Sequence, residues 1–140
     1  MHTKEVGDIA EIEVILASLK KGWSVSKPIG ENQKYDIIID NGTRLLRTQC
    51  KSGLLKNEII KTSTARMARQ NGKYAKLSYT VDEIDAIGIY CPQTDQTFLI
   101  TVDGVSTPTG TIQQSINLRI KKDNSSNNQY TPRFAEDYIL

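Results

Sequence analysis

Apolar positions near the start of the chain follow a helical period. From about residue 3 to residue 21, apolar side chains recur at spacings of three and four residues, which predicts an α-helix. The residues that set this period are Ile9, Ile12, Leu16 and Leu19. Thr3 is placed to cap the helix and Gly22 is placed to end it. Trp23 to Lys27 then alternates with a period of two, which predicts a short strand.

The next apolar runs, YDIIID and TRLLRTQCK, are separated by Asn41-Gly42, a strong hairpin signal. A two-residue turn at this dipeptide would place Asp36 opposite Arg47. Because side chains alternate along a strand, Asp36, Gln49 and Lys51 would share one face. The other face is apolar enough to be the core and holds Tyr35, Ile37, Ile39, Leu46, Thr48 and Cys50.

The remaining pattern predicts one domain over residues 1–140, with no internal repeat. SGLLKNEIIKTST favours a loop with a short strand or turn, and ARMARQNGKYAKLS favours a helix weakened by Gly72. Strands are predicted at DAIGIYCP, QTFLITVD and SINLRIKK, a polar loop at DNSSNNQ and a short helix at RFAEDYIL. The predicted fold class is a mixed α/β or α+β sandwich.

Charge is segregated along the chain although the net charge is only +2. Residues 1–42 carry −2, residues 43–80 carry +8 and residues 81–140 carry −4. A solvated helix face is the ordinary explanation of such a run. A run this one-sided repels itself without a polyanionic partner, so nucleic-acid binding is the competing interpretation.

Other features narrow the function classes. No apolar run is long enough to span a membrane, and the N-terminal residues lack the apolar core of a signal peptide, so we expect a cytoplasmic protein without membrane contact. Cys50 and Cys91 lie in apolar runs without metal-ligand spacing, so we expect reduced core residues. His2 is the single histidine, which disfavours mechanisms with a buried histidine base.

The shared face of the hairpin has the composition of a phosphodiesterase site. Asp36, the amide oxygen of Gln49 and the main-chain carbonyl of Cys50 are oxygen ligands of the kind that hard divalent cations take. Lys51 would contact a phosphate oxygen or orient a water molecule. On the alternative interpretation, Asp36 and Arg47 form a cross-strand ion pair and Lys51 is solvated.

Asp36, the later Gln49-x-Lys51 and the upstream helix with GDIAE resemble the PD-(D/E)xK nuclease superfamily. Within it the chain is most similar to homing endonucleases encoded by cyanobacterial group I introns, over GDIAEIEVILASLKKG, KYDIIID, RTQCKSG and VDEIDAIGIYCP. The resemblance implies a restriction-endonuclease-like core, in which helices flank a central mixed β-sheet. It further implies a Mg²⁺- or Mn²⁺-dependent endonuclease that promotes intron mobility.

The resemblance also implies a metal-binding glutamate on the first helix, and Glu11 fits that place better than Glu13. Two positions depart from the family pattern. Tyr35 stands where proline is usual, which affects only chain shape. Gln49 stands where Asp or Glu is usual, which removes a negative charge and puts metal affinity in doubt. The implied catalytic set is therefore Glu11, Asp36, Gln49 and Lys51, with Glu11, Asp36, Gln49 and the Cys50 carbonyl at the metal.

Double-stranded DNA is the implied partner. The predicted phosphate and groove contacts are Lys56, Arg66, Arg69, Lys73, Lys76, Arg119 and Lys121, with Gln113, Gln114, Asn127, Asn128 and Gln129 as further base-reading candidates. A long site and two strands to cut imply a homo-oligomer, either a dimer or a tetramer. Candidate interface residues are Tyr130, Phe134, Tyr138 and Ile139, which are equally compatible with ordinary core.

Two other functions remain open at this point. A structure-selective nuclease of the Holliday-junction resolvase type would share the fold and the helix glutamate. A catalytically silent DNA-binding module would explain Gln49 as the mark of a decayed site.

Overall fold

The regular elements of the chain are one α-helix and eleven short strands within the residues described by a computed structural model, 2–120 and 133–140. They are α1 Thr3–Lys20, β1 Ser24–Ser26, β2 Ile37–Asp40, β3 Leu45–Ser52, β4 Leu54–Lys56, β5 Ile59–Ser63, β6 Arg66–Gln70, β7 Lys73–Leu77, β8 Ala86–Cys91, β9 Gln96–Thr101, β10 Ser115–Arg119 and β11 Arg133–Phe134. A 3₁₀ turn, Ala135–Tyr138, follows β11.

A five-stranded sheet in the order β1-β2-β3-β8-β9 forms the centre of the fold. The β3–β8 pair is parallel and the other pairs are antiparallel, so the sheet is mixed as the sequence predicted. Helix α1 covers one face, and Val14 packs there among apolar side chains of the sheet. These are Ile37, Ile39, Leu46, Cys50 and Ala86. The helix comes close because Gly88 has no side chain: a Cβ there would lie 2.8 Å from Val14 Cγ1.

The opposite face of the central sheet is covered by a second sheet. This sheet has the order β11-β10-β5-β4 and places Ile60, Ile116 and Leu118 against the strands of the first sheet. The fold class with a central mixed sheet is confirmed, but on this side a sheet stands where a flanking helix was expected. The cause is visible in β5 and β10, whose buried residues alternate with exposed ones as a half-buried strand requires.

Residues 66–77 form a β-hairpin, and the predicted helix was wrong. Strands β6 and β7 pair antiparallel as a separate two-stranded sheet, with Gln70 opposite Lys73. Asn71 and Gly72 have φ values of 52° and 78°, so both central residues are left-handed as a primed two-residue turn requires. Helix-forming residue types did not decide the structure here because an Asn-Gly turn stood in the middle of the segment.

The hairpin at Asn41-Gly42 is real, but its turn is not the predicted two-residue turn. Asp40 pairs with Leu45, so four residues form the loop and the register differs from the predicted one by two positions. The side chain of Asn41 closes this loop, because its Oδ1 accepts hydrogen bonds from the backbone N–H groups of Thr43 and Arg44. A shift of two preserves which side chains share a face, so the predicted faces of β2 and β3 are confirmed.

Among the smaller predictions, some are confirmed and others are wrong. Helix α1, β1 and strands β8, β9 and β10 are confirmed, whereas 52–64 forms two strands. Thr3 does not cap α1: His2 holds that position and makes no capping hydrogen bond through its side chain. Tyr35 packs against the cluster shared with the second sheet instead of the α1 side. Cys50 and Cys91 are buried free thiols, as expected.

No helix in the described ranges is long and apolar enough to cross a membrane. Several predicted contact residues lie outside the described residues: Lys121, Asn127, Asn128, Gln129 and Tyr130.

Candidate active site

Asp36 is held at the entrance of β2 by two hydrogen bonds to β3. Its backbone N–H donates to the carbonyl of Thr48 at 2.9 Å, which extends the strand ladder by one residue. Its carboxylate Oδ2 accepts a hydrogen bond of 2.8 Å from the backbone N–H of Cys50. The half-buried carboxylate is thereby fixed beside the Gln49-Cys50-Lys51 segment, as the shared face predicted.

Strand β3 presents Gln49 and Lys51 on the face away from α1. Both side chains are half-buried, whereas Thr48 and Cys50 between them point into the core. Parallel pairing with β8 places Gln49 beside Ile87 and Lys51 beside Ile89. This pairing with β8 holds the two side chains in fixed directions, which suits a site that needs preorganised groups.

Glu11 reaches the same region from α1. Its Oε2 lies 3.1 Å from Nζ of Lys27, and 23% of its side chain is exposed. Glu11, Lys27 and Asp36 line an open cleft of about 300 Å³ together with Tyr35. Glu13 instead lines a separate cleft beside the 3₁₀ turn and β9, so the helix presents Glu11 and not Glu13 to Asp36.

Burial in this region disfavours the charged forms of both Asp36 and Lys51. Burial raises the pKa of Asp36 above its usual value, the Cys50 N–H partly opposes this, and the negative charge of Glu11 raises the pKa further. Burial lowers the pKa of Lys51, and the carboxylate of Asp36 opposes that shift. Burial also raises the pKa of the Cys50 thiol, whose side chain lies in the core.

Arg47 does not neutralise Asp36, so the predicted alternative of a cross-strand ion pair was wrong. Its guanidinium is bound to Asp85, with Nε 2.9 Å from Oδ2 and Nη2 3.1 Å from Oδ1. Nη1 donates a third hydrogen bond, of 2.7 Å, to the carbonyl of Asp82. The charges that act on Asp36 are instead those of Glu11, Lys51 and Lys27.

The β6–β7 hairpin gathers the basic residues that the sequence assigned to a helix. Met67, Arg69, Tyr74 and Lys76 share an exposed face, on which Arg69 lies over the Tyr74 ring with 5.2 Å between Cζ and the ring centroid. Lys73 and Arg66 belong to the opposite face. The four cations are thus divided between two faces of a ribbon, which is a correction to the predicted single helix side.

The charge of Arg66, at the start of this hairpin, and the charge of Asp36 both act on Tyr79. Its Nε is buried and has no hydrogen-bond partner among the described residues. Burial raises the pKa of Tyr79, the negative charge of Asp36 raises it further, and the positive charge of Arg66 lowers it. The pKa of Tyr79 therefore responds to the charges of both Asp36 and Arg66.

Other predicted contact residues lie farther along the second sheet. Lys56 is exposed at the end of β4, and Arg119 is half-buried at the end of β10. Gln113 and Gln114 are exposed, and Gln114 Nε2 donates a 2.9 Å hydrogen bond to Ser78 Oγ. An open cleft of about 590 Å³ lies here, bordered by Leu54, Lys61, Thr62, Ser63, Lys76, Gln114, Ser115 and Asn117.

Three residues near the site were not found from the sequence. Lys27 forms an ion pair with Glu11, and Asp85 forms an ion pair with Arg47. The third residue is Tyr79, whose pKa is raised by the charge of Asp36 and lowered by that of Arg66. Lys27 ends one predicted strand and Asp85 begins another, but neither position carries a motif. Their partners are distant in sequence, so no local spacing could have indicated these contacts.

Acidic ligands are sparse at this site. In residues 2–120 and 133–140, no group of three or more His, Cys, Asp or Glu side chains is arranged to hold a metal ion. The carboxylates that line the cleft are Glu11, Asp36 and the exposed Glu31, whereas the half-buried amide of Gln49 lies on the neighbouring strand β3.

Comparisons with known proteins agree with this geometry. The family model of the PD-(D/E)XK endonucleases matches residues 1–138. The solved structure of a bacterial homing endonuclease, I-Ssp6803I, is similar to this chain with a TM-score of 0.72 and 25% sequence identity, covering 99% of this chain and 89% of that one. The comparison with curated proteins gives no significant match. The match over nearly the whole length, together with Asp36 fixed beside the Gln49-Cys50-Lys51 segment, shows that the chain belongs to the PD-(D/E)XK endonuclease family.

Proposed function

We propose that this chain is a sequence-specific homing endonuclease that hydrolyses phosphodiester bonds of double-stranded DNA and promotes intron mobility. The observation that carries the proposal is the Asp36 carboxylate, fixed by Cys50 N–H at 2.8 Å and unpaired with Arg47, in one cleft with Glu11. The half-buried position and the charge of Glu11 raise the pKa of Asp36, and carboxylates perturbed in this way cluster at functional sites.

The donor chemistry of the cleft fits a hard divalent cation, Mg²⁺ or Mn²⁺. Glu11, Asp36, the Gln49 amide and the Cys50 carbonyl would hold the ion, because all four offer oxygen. Burial and the charge of Glu11 raise the pKa of Asp36, and a bound positive charge would offset both. The ion would supply positive charge to the phosphate and an acidified water.

The side chains of the protein have separate roles in this proposal. Asp36 and Glu11 would hold the cation at the strand end with their carboxylates, and Gln49 would add its amide oxygen as a neutral ligand. Lys51 donates a hydrogen bond to a phosphate oxygen as charge develops there, in a half-buried position where such a contact is stronger than in water. Burial lowers the pKa of Lys51, which reduces the cost of proton exchange with a water molecule.

The basic hairpin supplies the DNA contacts of the proposal. A two-stranded ribbon fits the major groove, so Arg69, Lys76 and Lys73 on β6 and β7 would contact phosphates or base edges. Arg66, whose buried Nε has no hydrogen-bond partner among the described residues, would contact a phosphate through its guanidinium. Lys56, Arg119 and Lys121 complete the proposed DNA-binding set.

Cleavage of both strands needs at least two active centres, so the working form is a homo-oligomer, either a dimer or a tetramer. A second candidate function is the silent DNA-binding module, favoured by Gln49 in the acidic position and by the small number of carboxylates in the cleft. The two functions differ in cleavage and not in DNA binding.

The deciding experiment incubates a plasmid pool of randomised sites with the protein and Mg²⁺, in parallel with Asp36→Ala, and sequences the DNA ends. We expect discrete, magnesium-dependent ends that are absent from the variant, because Asp36 would hold the ion. Intact plasmid with both proteins, combined with retained gel shifts, would replace the proposal with the silent module. Ends without sequence preference would reject the homing assignment and retain a nuclease.

A further inference from the structure

The outer face of α1 is apolar and nothing in the described part of the fold covers it. The helix buries Ala10, Val14 and Ser18 against the sheet. Four large apolar side chains lie on its other side with exposed fractions between 37% and 60%: Ile9, Ile12, Leu16 and Leu19. We name these four residues the α1 seam. A contiguous apolar patch of this kind marks an interaction surface.

The spacing of the α1 seam indicates the geometry of its partner. Its residues follow intervals of three, four and three, which is the a/d pattern of a coiled coil and is narrower than the stripe of a core-facing helix. Such a seam fits the side chains of another α-helix. Within residues 2–120 and 133–140, α1 is the single α-helix, so a second copy of the chain can supply the matching helix only through its own α1.

Charges at the two ends of the seam fix the direction of pairing. Lys4, Glu5 and Asp8 give the N-terminal end a net charge of −1, and Lys20 and Lys21 give the C-terminal end a net charge of +2. Two antiparallel copies place acid near base at both ends and oppose the helix dipoles. Parallel copies would place like charges together at each end. The charge pattern therefore fits antiparallel self-association.

We propose that two copies of this chain associate through antiparallel packing of their α1 seams, related by a two-fold axis. The interface is isologous, with Ile9 of each copy near Leu19 of the other. Glu11 lies about a third of a turn around the helix from the centre of the seam, on the side of Lys27 and Asp36. The pairing therefore leaves the cleft of each copy open.

The apolar surface continues beyond the helix in a way that favours the same partner. Leu16 and Ala17 border a cleft of about 320 Å³ with Ile139 and Leu140, and Ile139 is 49% exposed. Side chains of a partner helix that overhang the seam can enter this cleft. The inference rests on the homo-oligomer of the proposed function and names the surface through which its copies pair, which can be measured on the protein without DNA.

The first test measures the molar mass of DNA-free protein by sedimentation equilibrium. We expect the wild-type mass to be at least twice that of one chain, and Ile12→Glu and Leu16→Glu to halve it. Leu45→Glu is the matched control, because Leu45 is an exposed leucine on β3, 64% accessible and outside the seam. Circular dichroism and urea unfolding establish that each variant is folded before its mass is interpreted.

Three results would overturn the proposal: a monomeric wild type, folded seam variants that keep the wild-type mass, or a Leu45→Glu variant that dissociates equally. None of these readings depends on cleavage. A silent module would still associate through α1, and an active nuclease with a different interface would still cut DNA, so the two proposals fail separately.

The second test determines orientation with the single variants Ile9→Cys and Leu19→Cys under mild oxidation. Antiparallel packing predicts a disulfide in the mixture of the two proteins and little in either alone. Cross-links in each protein alone would indicate parallel packing and overturn the inference. The native thiols do not interfere, because Cys50 and Cys91 are both buried.

Discussion

The β2–β3 and β6–β7 hairpins both carry an Asn-Gly dipeptide, yet the first is largely buried and the second is largely exposed. The first is part of the central sheet, buries Ile37, Ile39 and Leu46, and ends at the candidate site. The second is a separate two-stranded sheet whose large side chains, Met67 and Tyr74, are 59% and 71% exposed. The same dipeptide therefore predicts a reversal of the chain but not the depth at which the strands lie.

The alternation of apolar residues determines that depth. Arginines illustrate the consequence, because Arg47 in the buried hairpin is held by Asp85, whereas Arg69 in the exposed hairpin stacks on Tyr74. A fixed ion pair stabilises the sheet, whereas a loosely held cation remains available for phosphate. One hairpin thus carries the proposed chemistry and the other carries the proposed affinity.

The largest expected effect is a difference between the two hairpins in how much a truncated side chain lowers the free energy of unfolding. Leu46→Ala removes a buried side chain from the packing under α1 and should lower the free energy of unfolding by about 2–5 kcal/mol. Met67→Ala, on the exposed hairpin, should change it by less than about 0.5 kcal/mol. Urea unfolding followed by circular dichroism measures both. Equal decreases would mean that the second hairpin is packed against the fold.

The next effect separates cleavage from binding. Lys51→Ala should reduce single-turnover cleavage on the order of 10²–10³-fold, because the variant lacks a half-buried donor to the phosphate. DNA affinity in a gel-shift titration should stay within a few fold of wild type, since the surrounding cations remain. An equal fall in affinity would identify Lys51 as a backbone contact instead.

Lys76→Ala is the matched control from the exposed hairpin. It should leave cleavage at saturating protein unchanged and weaken DNA binding. The slope of log affinity against log salt should fall by about 0.9, because the variant neutralises one phosphate fewer. An unchanged slope would remove Lys76 from the proposed interface.

The smallest effect concerns the ion pair that holds Arg47. The hydrogen bond from Arg47 lowers the pKa of Asp85, so its contribution to stability is complete above the usual carboxyl pKa of 3.8 and disappears as the pH falls through the lowered value. Asp85→Asn should therefore be less stable than wild type at neutral pH, by about 1 kcal/mol. The difference should shrink in acid unfolding titrations below that value. A constant difference would indicate packing rather than charge.

The part of the fold that could be predicted from the sequence is the part whose signals are local. The period of α1, the alternation in β2 and β3 and the apolar runs of β8 and β9 each lie within one element, and all are confirmed. The family of the chain was likewise identified from short segments and is confirmed. Alternation predicted that Asp36 shares a face with Gln49 and Lys51, and a register shift of two leaves the faces unchanged. The hydrogen bond from the Cys50 backbone N–H to Asp36 was not predicted.

The remaining features depend on contacts between distant residues. Residues 66–77 contain many helix formers, so propensity favoured a helix, although Asn71-Gly72 carried the correct hairpin signal. The pairs Glu11–Lys27 and Arg47–Asp85 join elements that only tertiary structure brings together. The spacing of the α1 seam residues correctly predicted a helix. The same spacing could not indicate that these residues would face away from the sheet.

Gly88 determines how closely α1 approaches the central sheet. Helix and sheet meet there with nothing between backbone and the Val14 methyl groups, 2.8 and 2.9 Å from where a Cβ would stand. Glu11 stands three residues before Val14 on the same helix, so the depth at which Val14 sits against Gly88 also affects how closely the helix carboxylate approaches the sheet. A side chain at position 88 would push the helix outward and would therefore act on the cleft from within the core.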